Sequence, residues 1–255
     1  MSLRLKGKVA IVSGGATGAG GAASRLFAAE GARVAVFDIN QPAAEETVRS
    51  VLAVGGEAFR VTVDVSKADQ VERAVAEVVS RWGTVDVLFN HAGTIVVKPF
   101  LETTEEDWDR LMAINVKSMY LVTRAVLPHM LAKTKGAIVC TSSISAVAGT
   151  PMEVLYGATK GAVHMFARAI AVEYRDRGIR CNAVCPGFIR TPHGLREVEA
   201  LGKLGVDMSD AALTVAQGRI CEPEEVAAAA LFLASDEASF VNGTHLFVDN
   251  GFTAV

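Results

Sequence analysis

The sequence lacks a marked excess of charge of either sign, and this excludes several classes of protein. Among its 255 residues, 25 Lys and Arg stand against 28 Asp and Glu, giving a formal net charge of -3. Binding to a nucleic-acid backbone needs a concentrated basic face, which the sequence does not provide. No apolar run reaches the roughly 18 residues that a membrane-spanning helix needs. We therefore expect neither a nucleic-acid nor a membrane partner.

The chain also lacks the residue spacings of disulfide frameworks and metal sites. The four cysteines (Cys140, Cys181, Cys185 and Cys221) include no C-x-x-C pair, and the five histidines show no ligand-like spacing. The N-terminal stretch "MSLRLKGKVAIV" has no apolar segment followed by a cleavage site, so no secretory signal is expected. Free thiols, no bound metal and a cytoplasmic location are the expectations.

What the sequence does contain is a regular alternation of apolar runs with longer Ala-rich or amphipathic segments. Nearly continuous apolar strands, each followed by a helix, indicate a parallel sheet that is covered on both faces. We predict an α/β fold with one doubly wound Rossmann-type domain over residues 1–255, built on a seven-stranded, mostly parallel sheet with helices on both faces. The predicted strands are 8–13, 33–38, 57–65, 85–90, 136–143, 179–186 and 245–249. The main predicted helices are 18–30, 42–54, 67–82, 107–133, 154–176 and 223–234.

Residues 191–217 interrupt this alternation and look irregular in sequence. A long segment of this kind inside a domain is typical of a lid, a binding segment or a mobile surface loop. We predict a substrate lid at about 191–217.

The stretch "VSGGATGAGG" (12–21) holds five glycines in ten residues but matches neither G-x-x-x-x-G-K-[ST] nor G-x-G-x-x-G. By itself it would also fit a tight turn. However, it lies between a predicted strand and a predicted helix, where backbone N–H groups and the helix dipole attract a pyrophosphate. This context favours a nucleotide-binding site.

Asp38 ends the second predicted strand, where an acid that binds the cofactor ribose is expected. The alternative is a helix N-cap, because Asn40, Gln41 and Pro42 follow. Next to a ribose, the carboxylate would repel a 2′-phosphate, and no Lys or Arg in 14–21 or 39–41 offsets this repulsion. The sequence therefore predicts NAD(H) rather than NADP(H).

The segment "YGATK" places Tyr156 and Lys160 on the same face of a predicted helix. An ammonium group near a phenol stabilises the phenolate and lowers a pKa that is ordinarily near 10. The spacing alone is common on helix surfaces. Ser143 stands thirteen residues before Tyr156, and Asn115 lies within a predicted helix, where a buried amide is costly unless it is hydrogen-bonded.

Taken in order, these motifs resemble those of the short-chain dehydrogenase/reductase family in its single-domain branch. The family's T-G-x-x-x-G-x-G appears as "SGGATGAG", its N-N-A-G as "NHAG", and its N-x-V-x-P-G-x-x-x-T as "NAVCPGFIRT". The D-V after the third strand appears as Asp64 and Val65, and "VDNG" stands near the family's V-D-G-G. The likeness extends from Lys8 to Gly251.

The resemblance implies a role for each matching residue. Tyr156 would be the general acid/base, and Lys160 would lower its pKa and hold the nicotinamide ribose. Ser143 would hydrogen-bond the substrate oxygen, with Ser142 and Ser145 as less favoured alternatives. Asn115 would hold a water of the proton relay. The implied cofactor-binding residues are Gly14, Thr17, Gly18, Ala19, Gly20, Asp38, Ile39, Asp64, Val65, Asn90, Ala92, Gly93, Tyr156, Lys160, Pro186, Gly187, Ile189 and Thr191.

Residues expected near the substrate are mostly apolar, which favours a medium-sized hydrophobic or alicyclic secondary alcohol and its ketone. Glu153 and His193 are polar exceptions that would either bind a second hydroxyl or face solvent, and we favour solvent. The apolar residues are Ile95, Val96, Val97, Val147, Met152, Leu155, Phe188 and Leu195. The substrate-binding residues are predicted as Ser143, Ser145, Glu153, Tyr156, Phe188 and His193.

Two departures from the family pattern concern His91 and Asn250. His91 replaces the second Asn of N-N-A-G, and a hydrogen-bonded structural imidazole is favoured over a pH-sensitive contact. Asn250 replaces a glycine, and Asn tolerates the left-handed conformation that a turn there would need.

Other functions stay open at this point. Within enzymes, the alternatives are a polyol, sugar or dihydrodiol dehydrogenase and a 3-oxoacyl-thioester reductase. From other classes, an NAD(H)-binding sensor and a methyltransferase are weighed, and the Tyr156 and Lys160 pair argues against both. The resemblance further implies a homotetramer built through the two long helices (107–133 and 154–176) and the C-terminal strand.

Overall fold

The computed structural model describes residues 3–254, whose strands form one sheet of seven parallel strands in the order β3-β2-β1-β4-β5-β6-β7. The predicted doubly wound α/β fold is confirmed, and the sheet is parallel throughout. Strand order reverses at β1, which lies between β2 and β4, and such a switch point opens a crevice at the carboxyl ends of the strands. The strands are β1 (Val9–Ser13), β2 (Arg33–Asp38), β3 (Glu57–Thr62), β4 (Val87–Asn90), β5 (Gly136–Thr141), β6 (Ile179–Pro186) and β7 (His245–Val248).

Helices cover both faces of the sheet and enclose two apolar cores. The helices are α1 (Gly18–Ala29), α2 (Gln41–Ala53), α3 (Ala68–Trp82), α4 (Glu105–Leu111), α5 (Ser118–Ala132), α6 (Val154–Tyr174), α7 (Pro192–Lys203), α8 (Asp210–Gln217) and α9 (Pro223–Ala234). One core lies between the sheet and α1, α2 and α9, and the other between the sheet and α3, α5 and α6. Because β1 and β4 are buried on both faces, they are nearly continuous in Val, Leu, Ile and Phe.

The start of α2 is set by Asn40, whose side chain accepts a hydrogen bond from the backbone N–H of Ala43 at 3.2 Å. Asn is a favoured N-cap residue because its oxygen satisfies an N–H group that has no partner within the helix. Asp38 is therefore not the N-cap, and the alternative reading of this residue is wrong.

Residues 191–217 are not irregular but form α7, α8 and a short connection. Thr191 caps α7, because its Oγ1 accepts a hydrogen bond from the N–H of Gly194 at 2.9 Å, and Pro192 follows in the first turn. Leu201 and Leu213 bury their side chains against Phe188. The segment is thus folded onto the domain, next to the loop that follows β6.

Within residues 3–254, none of the helices is long and apolar enough to cross a membrane.

Candidate active site

The glycine-rich loop joins β1 to α1 and is packed too closely for side chains. A Cβ on Gly14 would lie 2.9 Å from the Cα of Ala92, and one on Gly20 would lie 2.0 Å from the backbone oxygen of Gly14. The Thr17 side chain does not cap α1, and the first turn of this helix contains no acidic residue. The N–H groups at the start of α1 are therefore available to a bound anion, which fits the pyrophosphate of a dinucleotide.

Asp38 lies at the end of β2 and connects this strand to the glycine-rich loop. Its Oδ2 accepts a hydrogen bond from the N–H of Ala16 at 3.0 Å, and its Oδ1 accepts one from Asn40 at 2.9 Å. A carboxylate offers about four acceptor positions, so each oxygen keeps the capacity to accept a ribose hydroxyl. Ile39, the next residue, is largely exposed at the rim of the crevice.

Asp64 and Val65 follow β3, on the same side of the site as Asp38. The Oδ1 atom of Asp64 accepts hydrogen bonds from the N–H of Ser66 at 2.9 Å and from its hydroxyl at 2.7 Å, and Val65 is buried. The Asp64 side chain thus fixes the turn that positions both residues.

The buried Asn90 side chain holds the end of β4 in place. Its Oδ1 accepts a hydrogen bond from the Ser13 hydroxyl at 3.1 Å, and its Nδ2 donates to the backbone oxygen of Met119 at 3.1 Å. The Ser13 oxygen in turn accepts hydrogen bonds from the N–H groups of His91 and Ala92. These contacts use the Asn90 side chain and the N–H groups of His91 and Ala92 within the fold, and they thereby fix the position of the "NHAG" loop at the end of β4.

His91 has the geometry of a structural imidazole. Its ring stacks on Phe89 with centroids 5.1 Å apart, and its Nδ1 lies 2.9 Å from the Thr141 hydroxyl. Burial lowers the pKa of His91 to about 3, so the ring is neutral at physiological pH. This geometry supports the structural reading over the pH-sensitive one.

Asn115 lies in a π-helical turn, Met112–Lys117, that divides the predicted helix 107–133 into α4 and α5. The buried side chain exchanges two hydrogen bonds of 2.8 Å with the backbone of Thr94, and its Nδ2 also donates to the Thr159 hydroxyl at 3.0 Å. Such π turns inside α-helices recur at functional sites. Asn115 thus links the loop after β4 to α6, and its Oδ1 keeps one acceptor position.

Tyr156 and Lys160 lie in the first turns of α6, facing the end of β5. The ammonium of the buried Lys160 donates to the backbone oxygen of Thr141 at 2.9 Å and lies 5.4 Å from the centroid of the Tyr156 ring. Ser143 lies beside the phenol, whereas the Ser142 hydroxyl donates to the backbone oxygen of Lys160 at 3.0 Å. The geometry therefore favours Ser143 over Ser142 for contact with a substrate.

The pKa values of this pair are governed by burial. Burial raises the pKa of Tyr156 above its usual value, and the nearby carboxyl groups of Glu197 and Glu153 raise it further, while hydrogen bonding to Ser143 lowers it. Burial also lowers the pKa of Lys160 to about 8. In the protein alone, the phenol pKa thus moves opposite to the lowering expected from the Tyr–Lys spacing.

The loop after β6 closes the site and is held by Gln217 at the end of α8. The Oε1 of Gln217 accepts a hydrogen bond from the N–H of Phe188 at 2.9 Å, and its Nε2 donates to the Phe188 oxygen at 3.0 Å. A Cβ on Gly187 would lie 1.9 Å from the same Oε1, so only glycine fits there. Gln217 could not be predicted from the sequence, because it lies 29 residues after Phe188 and carries no local signal.

The same loop also approaches the glycine-rich loop. A Cβ on Gly18 would lie 3.0 Å from the Cγ2 of Thr191, which places these two predicted cofactor contacts side by side. Pro186 is the last residue of β6, and Ile189 pairs with Cys221 in an isolated bridge. At the C-terminal end of the fold, Asn250 has φ 48°, so the left-handed turn expected there is confirmed.

The predicted substrate side combines apolar walls with strained backbone. Val96 and Leu155 are buried in one small cluster, while Phe188 packs near Val97 and Met152 in another. Met152 has φ 64°, an uncommon conformation for a bulky residue, and its carbonyl accepts a hydrogen bond from Lys98 at 2.8 Å. Strain of this kind concentrates at functional sites.

Glu153 does not face solvent, so the prediction that favoured a solvent-facing Glu153 is wrong. Only 2% of the residue is exposed, because it lies beneath α7 between the loop before α6 and the side chain of Glu197. Burial raises the pKa of Glu153 to about 7. His193 is half-buried, and burial lowers its pKa. Glu197 lies one turn after His193 on α7. It was not predicted as a site residue, because a single acid on an amphipathic helix ordinarily faces water.

The fold and the site together define a dinucleotide-binding oxidoreductase. The family model described as enoyl-(acyl carrier protein) reductase matches residues 14–253. The chain is 40% identical over 251 residues to cyclopentanol dehydrogenase from Comamonas testosteroni, covering 98% of this chain and 99% of that protein. It is 39% identical over 258 residues to meso-2,3-butanediol dehydrogenase from Serratia marcescens, covering 99% and 97% respectively. The crystal structure of levodione reductase matches with a TM-score of 0.95 and 33% identity, covering 99% of this chain and 100% of that one.

The chain belongs to the short-chain dehydrogenase/reductase family. Its members are oxidoreductases that act on alcohols and ketones and bind a nicotinamide nucleotide, and the glycine-rich loop of this chain fits such a cofactor.

Proposed function

We propose that this protein is an NAD-dependent dehydrogenase that interconverts medium-sized secondary alcohols and ketones with a hydrophobic or alicyclic skeleton. The observation that carries the proposal is the pair of partly buried Tyr156 and buried Lys160, which faces Ser143 at the carboxyl end of β5. The relative named for cyclopentanol supports a ring-shaped substrate.

In the proposed mechanism the chain positions the substrate oxygen and moves its proton. The bound nicotinamide ring supplies or accepts the hydride. The Ser143 hydroxyl hydrogen-bonds the substrate oxygen, while the Tyr156 phenol donates a proton to it or its phenolate accepts one. The positive charge of Lys160 favours the phenolate, and its ammonium would hold the ribose of the cofactor by hydrogen bonds. Asn115 connects these groups through Thr159 and holds a water with its remaining acceptor position.

The proposed NAD(H) preference depends on the charge of Asp38. This carboxylate ends β2 and is fixed by the N–H of Ala16, beside the loop that fits the pyrophosphate. A ribose with free hydroxyls can donate to it, whereas a 2′-phosphate adds like charge. The residues of 14–21 and 39–41 include no Lys or Arg to neutralise that phosphate.

The proposed substrate site lies under the lid formed by 191–217. Val96, Leu155 and Phe188 supply buried apolar walls, and α7 brings His193 and Glu197 toward the same space. The burial of these walls supports a hydrophobic skeleton, because an apolar ring gains about 25 cal/mol for each Å² removed from water.

We also propose a homotetramer assembled through α5, α6 and β7. Tyr120 on α5 is 47% exposed, and Met165 and Val172 on α6 are 60% and 63% exposed, which leaves apolar surface uncovered on both helices. The strand β7 forms an edge of the sheet. A mass of about four chains in light scattering is expected, and a monomer at micromolar concentration would contradict the proposal.

A cytoplasmic location is likewise proposed, because all four cysteines are buried free thiols.

The proposed function is tested by a substrate screen that follows the absorbance of the reduced cofactor. The screen is run with NAD⁺ and, in parallel, with NADP⁺. The panel contains cyclopentanol, cyclohexanol, acyclic secondary alcohols, sugar alcohols and, in the reductive direction, a 3-oxoacyl thioester. Turnover of alicyclic alcohols with NAD⁺ is the expected result. Turnover confined to polyols, or to the thioester with NADPH, would contradict the proposal.

A further inference from the structure

Glu153 and Glu197 form a carboxyl pair beside the proposed catalytic residues. Glu153 lies three residues before Tyr156, at the N-terminus of α6, and Glu197 reaches it from α7. The charges of both carboxyl groups act on the phenol of Tyr156, and that of Glu197 also acts on Lys160. The pair therefore borders the space where a substrate oxygen would meet Tyr156.

Glu153 is a buried polar group without a hydrogen-bond partner. Both carboxyl oxygens are buried, and no group among residues 3–254 meets either of them in hydrogen-bonding geometry. Burial raises its pKa, while Glu197, Thr150 and Ser145 lie near enough for weak hydrogen-bonding contacts that lower it without satisfying the carboxyl geometrically. Leaving such a group unpaired is costly, so it calls for a specific reason such as a catalytic role or a bound water, ion or ligand.

The pair offers a defined combination of donor and acceptors. Burial raises the pKa of Glu197 as well, and two carboxyl groups in contact do not both ionise near neutral pH. One protonated and one ionised carboxyl can donate one hydrogen bond and accept several. A hydroxyl group, which both donates and accepts, matches this combination.

The groups facing the pair do not supply a counter-charge that would neutralise both acids. Lys160 favours the ionised form of Glu197, but its ammonium is engaged with the Thr141 carbonyl. His193 on the same helix is neutral at physiological pH, because burial lowers its pKa from 6.5. Tyr156 is uncharged as a phenol and carries a negative charge only as the phenolate, so it supplies no positive charge in either form. The pair is therefore suited to binding a neutral polar group.

We propose that Glu153 and Glu197 bind a second hydroxyl of the substrate, so that alicyclic diols and the corresponding hydroxyketones are preferred over simple alcohols. This inference rests on the proposed function, since it assigns the substrate class for the same site. A ring carrying two oxygens requires apolar walls and two polar groups: Ser143 with Tyr156 would bind one oxygen, and the carboxyl pair would bind the other.

The first test compares kcat/KM of the wild-type enzyme for cyclohexanol, cyclohexane-1,2-diol and cyclohexane-1,4-diol with NAD⁺. We expect kcat/KM for at least one diol to exceed that for cyclohexanol by about 10- to 100-fold, because cyclohexanol would leave a buried polar group of the site unpaired. Equal or lower values for every diol would overturn the proposal while leaving the proposed function intact. Absence of turnover for all three alcohols would instead contradict the proposed function.

The second test uses Glu153→Gln, Glu153→Leu and Glu197→Gln, with Glu199→Gln as the matched control. Glu199 is an exposed acid on the same helix and pairs with Lys203. We expect the diol-to-cyclohexanol ratio of kcat/KM to fall about tenfold or more in Glu153→Leu, to fall less in Glu153→Gln, and to stay unchanged in Glu199→Gln.

Equal losses on both substrates in the Glu153 and Glu197 variants would mean a structural role and would overturn the proposal. If Glu153→Leu fails to fold, as judged by thermal unfolding, the ratio in the two Gln variants decides. A third substrate, 2-aminocyclohexanol, distinguishes a site for cations: a preference for this amine over the diols would also overturn the proposal.

Discussion

Replacing Asp38 by Asn tests the electrostatic origin of the cofactor preference with little change in shape. The Asn side chain retains an oxygen that can accept the hydrogen bond now made by the N–H of Ala16 at 3.0 Å. What disappears is one negative charge at the end of β2. We therefore expect the glycine-rich loop to keep its conformation while the repulsion of a 2′-phosphate is removed.

The size of the effect follows from Coulomb's law and from the exposure of the group. Two unit charges ~4 Å apart repel by ~1 kcal/mol in water and by ~4 kcal/mol at an effective dielectric of 20. Asp38 is half-buried, so an intermediate value of about 2 kcal/mol applies, which corresponds to roughly a 30-fold change in the ratio of specificities.

The assay is steady-state kcat/KM with NAD⁺ and with NADP⁺ at a fixed saturating alcohol, for the wild type and Asp38→Asn. We expect the NAD⁺/NADP⁺ ratio to fall by about 10- to 100-fold, mostly through a gain with NADP⁺. Asp69→Asn is the control, because Asp69 is an exposed acid on α3 that pairs with Arg73. An unchanged ratio in Asp38→Asn, or a wild type that already prefers NADP⁺, would refute the reasoning.

Three further predictions concern other parts of the site. Gln217→Ala leaves the buried N–H of Phe188 unpaired, whereas the Phe188 carbonyl keeps the hydrogen bond from the N–H of Cys221. The free energy of unfolding in urea should therefore fall by about 1–3 kcal/mol, and a loss below about 0.5 kcal/mol would contradict the role of Gln217. Gly20→Ala places a Cβ 2.0 Å from a backbone oxygen of the same loop, so NADH binding measured by fluorescence should be lost. A variant that keeps its affinity for NADH would contradict the close packing of the glycine-rich loop. Glu197→Gln removes a negative charge that raises the pKa of Tyr156. The acidic limb of the plot of kcat/KM for cyclohexanol against pH should therefore move to lower pH. A shift to higher pH would contradict the effect of Glu197 on Tyr156.

The fold could be predicted because its signals are local. The strands are short apolar runs, and helices follow most of them. This pattern is typical of a parallel sheet that is buried on both faces. The position of Asp38 at the end of β2 and the four-residue spacing of Tyr156 and Lys160 are likewise local features. The structure places all three where the sequence pattern led us to expect them.

The helices of segment 191–217 could not be predicted because their stability comes from distant contacts. α7 and α8 bury Leu201 and Leu213 against Phe188, and the amphipathic pattern of each helix is short. The start of α7 did carry a local signal, since Thr191 before Pro192 is a common N-cap sequence.

Gln217 and Glu197 illustrate what the sequence alone does not reveal. Both lie on helices where a polar residue would ordinarily face water, and only the docking of those helices onto the domain buries Gln217 and partly buries Glu197. The π turn at Asn115 was missed for a related reason: its sequence "MAINVK" is compatible with an ordinary helix, and the buried hydrogen bonds to Thr94 are contacts with a different loop.

The central claim is that this protein transfers a hydride while Tyr156 transfers the proton. It is tested most directly by measuring NADH formation from an alicyclic alcohol with the wild type, Tyr156→Phe and the control Tyr120→Phe, which changes a residue of α5 outside the active site. General acid–base catalysis contributes about 10²- to 10⁴-fold, so kcat should fall by that factor in Tyr156→Phe, with NADH affinity retained and with Tyr120→Phe unaffected. A Tyr156→Phe enzyme that keeps wild-type turnover would contradict the account.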